Sequence, residues 1–169
     1  AAARGVLRSH AARHGANLGK LFETLNRHLV RDTGEAQFMT LFYAVLDAEA
    51  RSLVWTSGGH DPALWLKNAS GDIDELPNTG IPLGILEDAE YSQAGPIELD
   101  PSDIVLVGTD GIWEARNTSG EMFGKDRLRQ ILIDSASGSA KEIHDTIVHE
   151  VHEFRQTHPQ EDDVTLVVI

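Results

Sequence analysis

Asp103-Ile-Val-Leu-Val-Gly-Thr-Asp110-Gly-Ile-Trp-Glu114 joins an apolar run to an acidic turn. The apolar, largely β-branched run from Ile104 to Val107 predicts a buried strand. It stops abruptly at Gly108-Thr109-Asp110-Gly111. A carboxylate at the tip of a buried strand, followed by a glycine, can hold a metal ion. The strand fixes the backbone, and Gly111 lets the chain turn away close to the ion. Asp-Gly is also a common turn pair. On this stretch alone both readings stay open, and the turn is the simpler one.

The C-terminus, Gln160-Glu-Asp162-Asp163-Val-Thr-Leu-Val-Val-Ile169, has the same parts in reverse order. Carboxylates come first and an apolar strand follows. If the strand from Val164 pairs antiparallel with the one ending at Val107, the start of one lies beside the end of the other. Asp110 and Asp162 or Asp163 then share a sheet edge. Carboxylates gathered there repel one another unless they are protonated or share a cation. Hard oxygen ligands of this kind suit magnesium or manganese. A solvated acidic loop is the alternative reading of the same residues.

The chain has 169 residues, enough for one domain over 1–169 with a real core. Its apolar fraction of 41% and charged fraction of 24% are those of a soluble globular protein. There is no cysteine, which excludes disulfides, thiolate metal sites and cysteine nucleophiles, and fits a reducing cytoplasm. No apolar run is long enough to span a bilayer. The net charge of −13 argues against nucleic acid as a partner, since phosphate contacts need a positive face. An acidic surface also repels a phosphorylated substrate unless metal ions supply local positive charge.

Taken in order, Ala1 to about His14 reads as a helix. Asn17 caps a second helix to about Arg31, with Leu18, Leu21, Phe22, Leu25 and Leu29 on one face and Thr33-Gly34 closing it. His10 and His14 stand one turn apart, a spacing that permits ligation but more often marks a solvated face. Ala36 to Asp47 contains a long, buried strand, Phe38 to Leu46, and Ser52 to Thr56 returns as its hairpin partner. Ser57-Gly58-Gly59-His60-Asp61-Pro62 breaks that strand. Its glycines allow close backbone approach, and His60 is expected to anchor a loop. Adjacent residues rarely converge as a triad, which argues against a Ser57/His60/Asp61 hydrolase site. Ala63 to Leu66 and Ile73 to Leu76 continue what reads as a meander of antiparallel hairpins. Pro77 to Glu90 is a loop carrying Gly80-Ile81-Pro82-Leu83-Gly84, either a contact flap or a loop packed on the sheet. Tyr91 to Leu99 is strand-like. Lys125 to Asp134 is a helix carrying Leu128, Ile131 and Leu132. Ser139-Ala-Lys-Glu142 is a capping box opening a helix to about Gln156, with Ile143, Ile147, Val151 and Phe154 inward. His149 and His152 are three apart, not the four of a zinc-protease helix, and read as solvated. Strands flanked by runs of helices predict an α+β layered domain with an antiparallel sheet.

These elements together resemble the stage II sporulation E branch of the metal-dependent (PPM) protein serine/threonine phosphatases. The matching segments run in family order: Phe38-Met-Thr-Leu-Phe-Tyr-Ala-Val-Leu-Asp47, Ser57-Gly-Gly-His-Asp-Pro62, Gly80-Ile-Pro-Leu-Gly84, Thr109-Asp-Gly-Ile-Trp-Glu-Ala-Arg-Asn117, Gly120-Glu-Met-Phe-Gly124 and Asp162-Asp-Val-Thr165. The resemblance implies an α-β-β-α sandwich of two antiparallel sheets. It also implies hydrolysis of phosphoserine or phosphothreonine on a partner protein, such as an anti-sigma-factor antagonist. Two Mn2+ or Mg2+ ions would activate the attacking water. It makes Asp110 and Asp162 metal ligands, with Asp163 orienting them from behind. It makes the Gly80 to Gly84 loop a substrate or partner contact. Two further acidic motifs and two strands, expected ahead of the first helix, are not in this sequence. The chain by itself is therefore expected to bind metal weakly and to catalyse little. The alternative is a phosphatase-like module that binds a regulatory partner without chemistry. An uncovered sheet edge would invite pairing with a second chain, so a dimer is one expected arrangement.

Overall fold

The computed structural model describes residues 2–14, 17–32 and 37–169, and of residues 2 and 10–14 the backbone alone. In chain order the elements are α1 (Ala2–His14), α2 (Leu18–Asp32), β1 (Leu41–Asp47), β2 (Ser52–Gly58), β3 (Ala63–Lys67), β4 (Asp72–Leu76), β5 (Ala94–Glu98), β6 (Ile104–Gly108), α3 (Lys125–Asp134), α4 (Ala140–Arg155) and β7 (Leu166–Val168). The expected order, two helices, a run of strands, two helices and a last strand, is the observed one. The Thr33-Gly34 helix stop, the strand start at Ala36 and the His10 and His14 side chains lie outside the described residues.

The chain folds into two compact units, residues 1–60 with 77–99, and residues 61–76 with 100–169. Among the described residues each has one antiparallel sheet and two helices.

The first unit holds the sheet β1-β2-β5. Asn17 caps α2, its Oδ1 accepting from the Lys20 amide at 3.0 Å. The apolar face of α2 buries Leu18, Leu21, Phe22, Leu25 and Leu29, as its spacing predicts. Burying each such side chain contributes about 1.5–3 kcal/mol. The β1–β2 hairpin closes where Asp47 Oδ1 accepts from the amides of Glu49 and Ala50, at 3.0 and 2.8 Å.

The burial expected over Phe38 to Leu46 is not found. Phe38 lies outside β1 and is 66% exposed, and Val45 and Leu46 are exposed as well. The reason is position: β1 is an edge strand, bonded only to β2, so its apolar run is not enclosed on both sides. The single meander is also corrected. The hairpins β1–β2 and β3–β4 belong to different sheets, and Gly58-Gly59-His60 is where the chain leaves one for the other.

Residues 77–90 form a packed loop and not a free flap. Leu83 is fully buried, and its amide and carbonyl pair with Met39 at 2.8 Å each. Asn26, fully buried on α2, donates to the carbonyls of Leu86 (2.7 Å) and Glu87 (3.2 Å) and accepts from the Gly84 amide (2.8 Å). One side chain thereby satisfies three loop groups. Asn26→Ala leaves all three without that partner. It should cost about 2–3 kcal/mol in denaturant unfolding and speed amide exchange at Gly84.

Tyr91 closes this core, packed edge-on against Phe22 with ring centroids 5.7 Å apart. Its hydroxyl is buried with no hydrogen-bond partner among the described residues. Burial pushes its pKa up to about 12. Because the folded state resists ionising this group, the fold keeps its full stability below the unfolded pKa, about 10, and loses part of it as pH rises through the folded value. Removing that unpartnered hydroxyl, Tyr91→Phe should stabilise the fold at neutral pH by about 1 kcal/mol, read as a higher urea midpoint. It should also remove part of the alkaline loss of stability, read from urea midpoints between about pH 10 and 12.

The second unit holds the sheet β4-β3-β6-β7. Strand β6 is central and bears Ile104, Val105 and Leu106, all buried. The pairing expected between the two key stretches is observed: β6 and β7 are antiparallel, with Val107 opposite Val167 and Gly108 opposite Leu166. Helices α3 and α4 cover the core with Leu128, Leu132, Ile143, Ile147 and Val151, and Phe154 is partly buried against it. The Ser139/Glu142 capping box is present in full. The Ser139 amide and hydroxyl hold the Glu142 carboxyl below the usual carboxylate range.

Candidate metal centre

Strand β6 delivers Thr109, Asp110 and Gly111, and the segment entering β7 delivers Asp162 and Asp163. Beyond the last ladder pair, one backbone bond persists and a side chain takes the place of the other. The Thr109 amide donates to the Thr165 carbonyl at 3.1 Å. The Thr109 hydroxyl donates to the Asp163 carbonyl at 3.0 Å and accepts from the Thr165 amide at 2.9 Å. One residue further on, Gly111 lies flat against the opposite chain. A Cβ there would stand 2.5 Å from the Asp163 carbonyl oxygen and 3.4 Å from that of Asp162. Only glycine allows this approach.

Asp110 begins a turn, as the simpler reading of Asp-Gly has it. The Ile112 amide donates to the Thr109 carbonyl at 3.1 Å and the Glu114 amide to the Asp110 carbonyl at 2.8 Å. The turn and the acidic site are therefore the same piece of backbone. Asp110, Asp162 and Asp163 are exposed. One oxygen of Asp110 accepts from the Gly111 amide (3.1 Å), and one of Asp162 from the Asp163 amide (2.7 Å).

Two arginines frame the segment ahead of Asp162. The Arg155 guanidinium, at the end of α4, donates to the His158 carbonyl (3.1 Å) and the Gln160 side chain (3.3 Å). Arg116 donates to the Gly120 carbonyl (2.9 Å) and lies 3.8 Å from Glu161. Both line a cavity of about 220 Å3 that also touches Gly111, Glu114 and Asp162.

Two hard carboxylates on adjoining segments suit a divalent ion that keeps several of its waters, the habit of magnesium. They do not make a complete protein cage. Among the described residues no group of three or more His, Cys, Asp or Glu side chains is gathered to hold a metal.

Of the remaining residues singled out in the sequence, 57–60 and 80–84 belong to the first unit, and Asp61 and the α4 histidines to the second. Gly59 (φ 69°) donates its amide to the Gly80 carbonyl at 3.0 Å, and a Cβ on Gly59 would overlap the Pro82 ring. His60 packs against Phe42, ring centroids 6.3 Å apart. In the Gly80 to Gly84 segment Leu83 is buried and Ile81 is 41% exposed. The Ser57 hydroxyl is buried and bonded to Asn78 at 2.6 Å. Asp61 pairs with Lys125 at 2.7 Å. No Ser57/His60/Asp61 triad is needed to explain either residue. On α4, His149 and His152 are solvent-exposed.

No local pattern in the sequence marks the hydrogen bonds of Thr109, the approach of Gly111 to Asp163 or the hydrogen bonds of Arg155. The nearest thing to a signal is a hydroxyl residue between a buried strand and Asp-Gly.

Over residues 1–169 the chain matches the family model of stage II sporulation protein E (SpoIIE). The chain belongs to the SpoIIE family. Among curated relatives, the phosphoserine phosphatase RsbU of Bacillus subtilis is 27% identical over 158 residues, covering 92% of this chain and 45% of its own length. The chain spans less than half the length of the curated relatives it matches. Among solved structures, the SiaA-PP2C domain of Pseudomonas aeruginosa aligns with a TM-score of 0.85 at 20% identity, over 99% of this chain and 66% of that one. The Mn-presoaked phosphatase domain of SpoIIE from Bacillus subtilis aligns with a TM-score of 0.62 at 20% identity, over 99% of this chain and 69% of that one. The fold of this SpoIIE-family chain is thus that of PP2C-type phosphatase domains, an α+β fold with two antiparallel sheets and four helices among its described residues. No helix among its described residues is long and apolar enough to cross a membrane.

Proposed function

We propose that this SpoIIE-family chain takes part in metal-dependent hydrolysis of phosphoserine or phosphothreonine on a partner protein. A regulatory phosphoprotein of the anti-sigma-factor-antagonist kind is the substrate we favour. The observation that carries the reading is the meeting of the two acidic segments at Gly111, which places Asp110 and Asp162 at neighbouring strand ends of one sheet. The family relationship to a phosphoserine phosphatase supports it.

In this reading Asp110 and Asp162 hold a divalent ion, Mn2+ or Mg2+, and Asp163 holds the backbone around them. The bound ion would lower the pKa of a water and offset the charge of the phosphate, so no side-chain nucleophile is required. The chain's own part is to orient the two carboxylates, each fixed by the amide that follows it. The Gly80 to Gly84 loop, rigid at Leu83 with Ile81 exposed, is assigned to substrate or partner contact.

A second reading rests on the absence of a third gathered carboxylate among the described residues. It makes the chain a binding module without chemistry. A manganese-titrated assay of phosphate release from a phosphoserine protein separates the two, run on this chain and on the natural full-length protein. The catalytic reading expects manganese-dependent release by the full-length protein. No release at any manganese concentration supports the binding module.

A further inference from the structure

We propose that Thr109 is a positioning residue, whose hydroxyl sets the spacing of the two acidic segments and thereby the affinity of their site for a divalent cation. This rests on the reading of Asp110 and Asp162 as ligands. Past Gly108 and Leu166 the ladder between β6 and β7 would ordinarily continue backbone to backbone. Here the Thr165 amide turns to the Thr109 hydroxyl instead, and the same hydroxyl donates to the Asp163 carbonyl. One oxygen thus bridges two peptide groups of the opposite segment. It lies one residue from Asp110 along its own chain, and its acceptor lies one residue from Asp162. The hydroxyl thereby ties the two carboxylate-bearing backbones together beside the Thr109 amide to Thr165 carbonyl bond. Gly111 makes the link tight, because nothing separates it from the Asp163 carbonyl.

Valine has nearly the shape of threonine but neither donates nor accepts, so it leaves the Asp163 carbonyl and the Thr165 amide without this partner. Serine keeps the hydroxyl. Mn2+ binding to the natural full-length protein, read from the free-ion electron paramagnetic resonance signal, tests the proposal together with thermal melting. Groups that orient metal ligands typically cost about 10- to 100-fold in metal affinity when removed. Thr109→Val should weaken Mn2+ binding by about that factor. Thr109→Ser should retain wild-type binding. If Thr109→Val lowers the melting temperature but its folded fraction binds Mn2+ as the wild type does, the role is structural and the proposal is overturned. Should Thr109→Val not fold, Thr109→Ala is read in the same way. Asp110→Asn is measured alongside. If it leaves affinity unchanged, the ligand reading fails and takes the proposal with it. If it weakens binding while Thr109→Val does not, only the positioning role is lost.

Discussion

Asp110→Asn should abolish phosphate release by the natural full-length protein while leaving the fold intact. Asparagine keeps the side-chain oxygen that accepts from the Gly111 amide, so the turn that starts at residue 110 survives. It removes the negative charge that would attract the ion. Residues that merely orient a ligand already cost about 10- to 100-fold when removed, so losing a ligand should cost more than about 100-fold in kcat/KM. The melting temperature without metal should be unchanged or slightly higher, because one negative charge of the two acidic segments is removed. Raising manganese should not restore the rate. The check is a steady-state assay at several manganese concentrations beside a metal-free melt. An unchanged rate would remove Asp110 from the site.

Gly111→Ala should damage stability and metal binding together. The added methyl would meet backbone, not a flexible side-chain end: the Asp163 carbonyl oxygen at 2.5 Å and its carbon at 3.1 Å. Neither can yield without moving the segment that Thr109 bonds. Overpacking of this kind typically costs about 1–3 kcal/mol, and here relief comes only by parting the two acidic segments. Gly5→Ala is the matched control. Gly5 lies within α1, and a Cβ there would meet nothing within 4 Å. That change should stabilise by about 0.5–1 kcal/mol and leave manganese binding alone. Urea midpoints and manganese affinity, measured on both variants, should move in opposite directions for stability and only at Gly111 for binding.

Local chemistry made much of the fold legible. The buried face of α2, its Asn17 cap, the turn at Asp47 and the Ser139/Glu142 capping box depend on residues within a few positions of one another, and each stands as its spacing implies. The antiparallel meeting of β6 and β7 was legible for a different reason: two apolar runs end in carboxylates at opposite ends, which allows few pairings. What stayed hidden was non-local. Nothing in Phe38 to Leu46 says that its strand sits at an edge with half its surface in solvent. Nothing in the two hairpins says that they part into separate sheets. Asn26 reads as an ordinary polar residue on a helix until residues 84–87 are laid over it. At the candidate site, Asp110 and Asp162 announce themselves by charge. Thr109 acts through a hydroxyl bonded to residues more than fifty positions away, and no spacing rule shows that.

In the proposed site Asp110 and Asp162 face one cation. Paramagnetic broadening of amide resonances by Mn2+, followed by NMR on this chain, detects even weak binding and reports its place. The earliest broadening is expected at residues 109–112 and 161–164, erased by Asp110→Asn. Broadening that begins on the exposed acidic face of α4, or that spreads without focus and ignores Asp110→Asn, would contradict it.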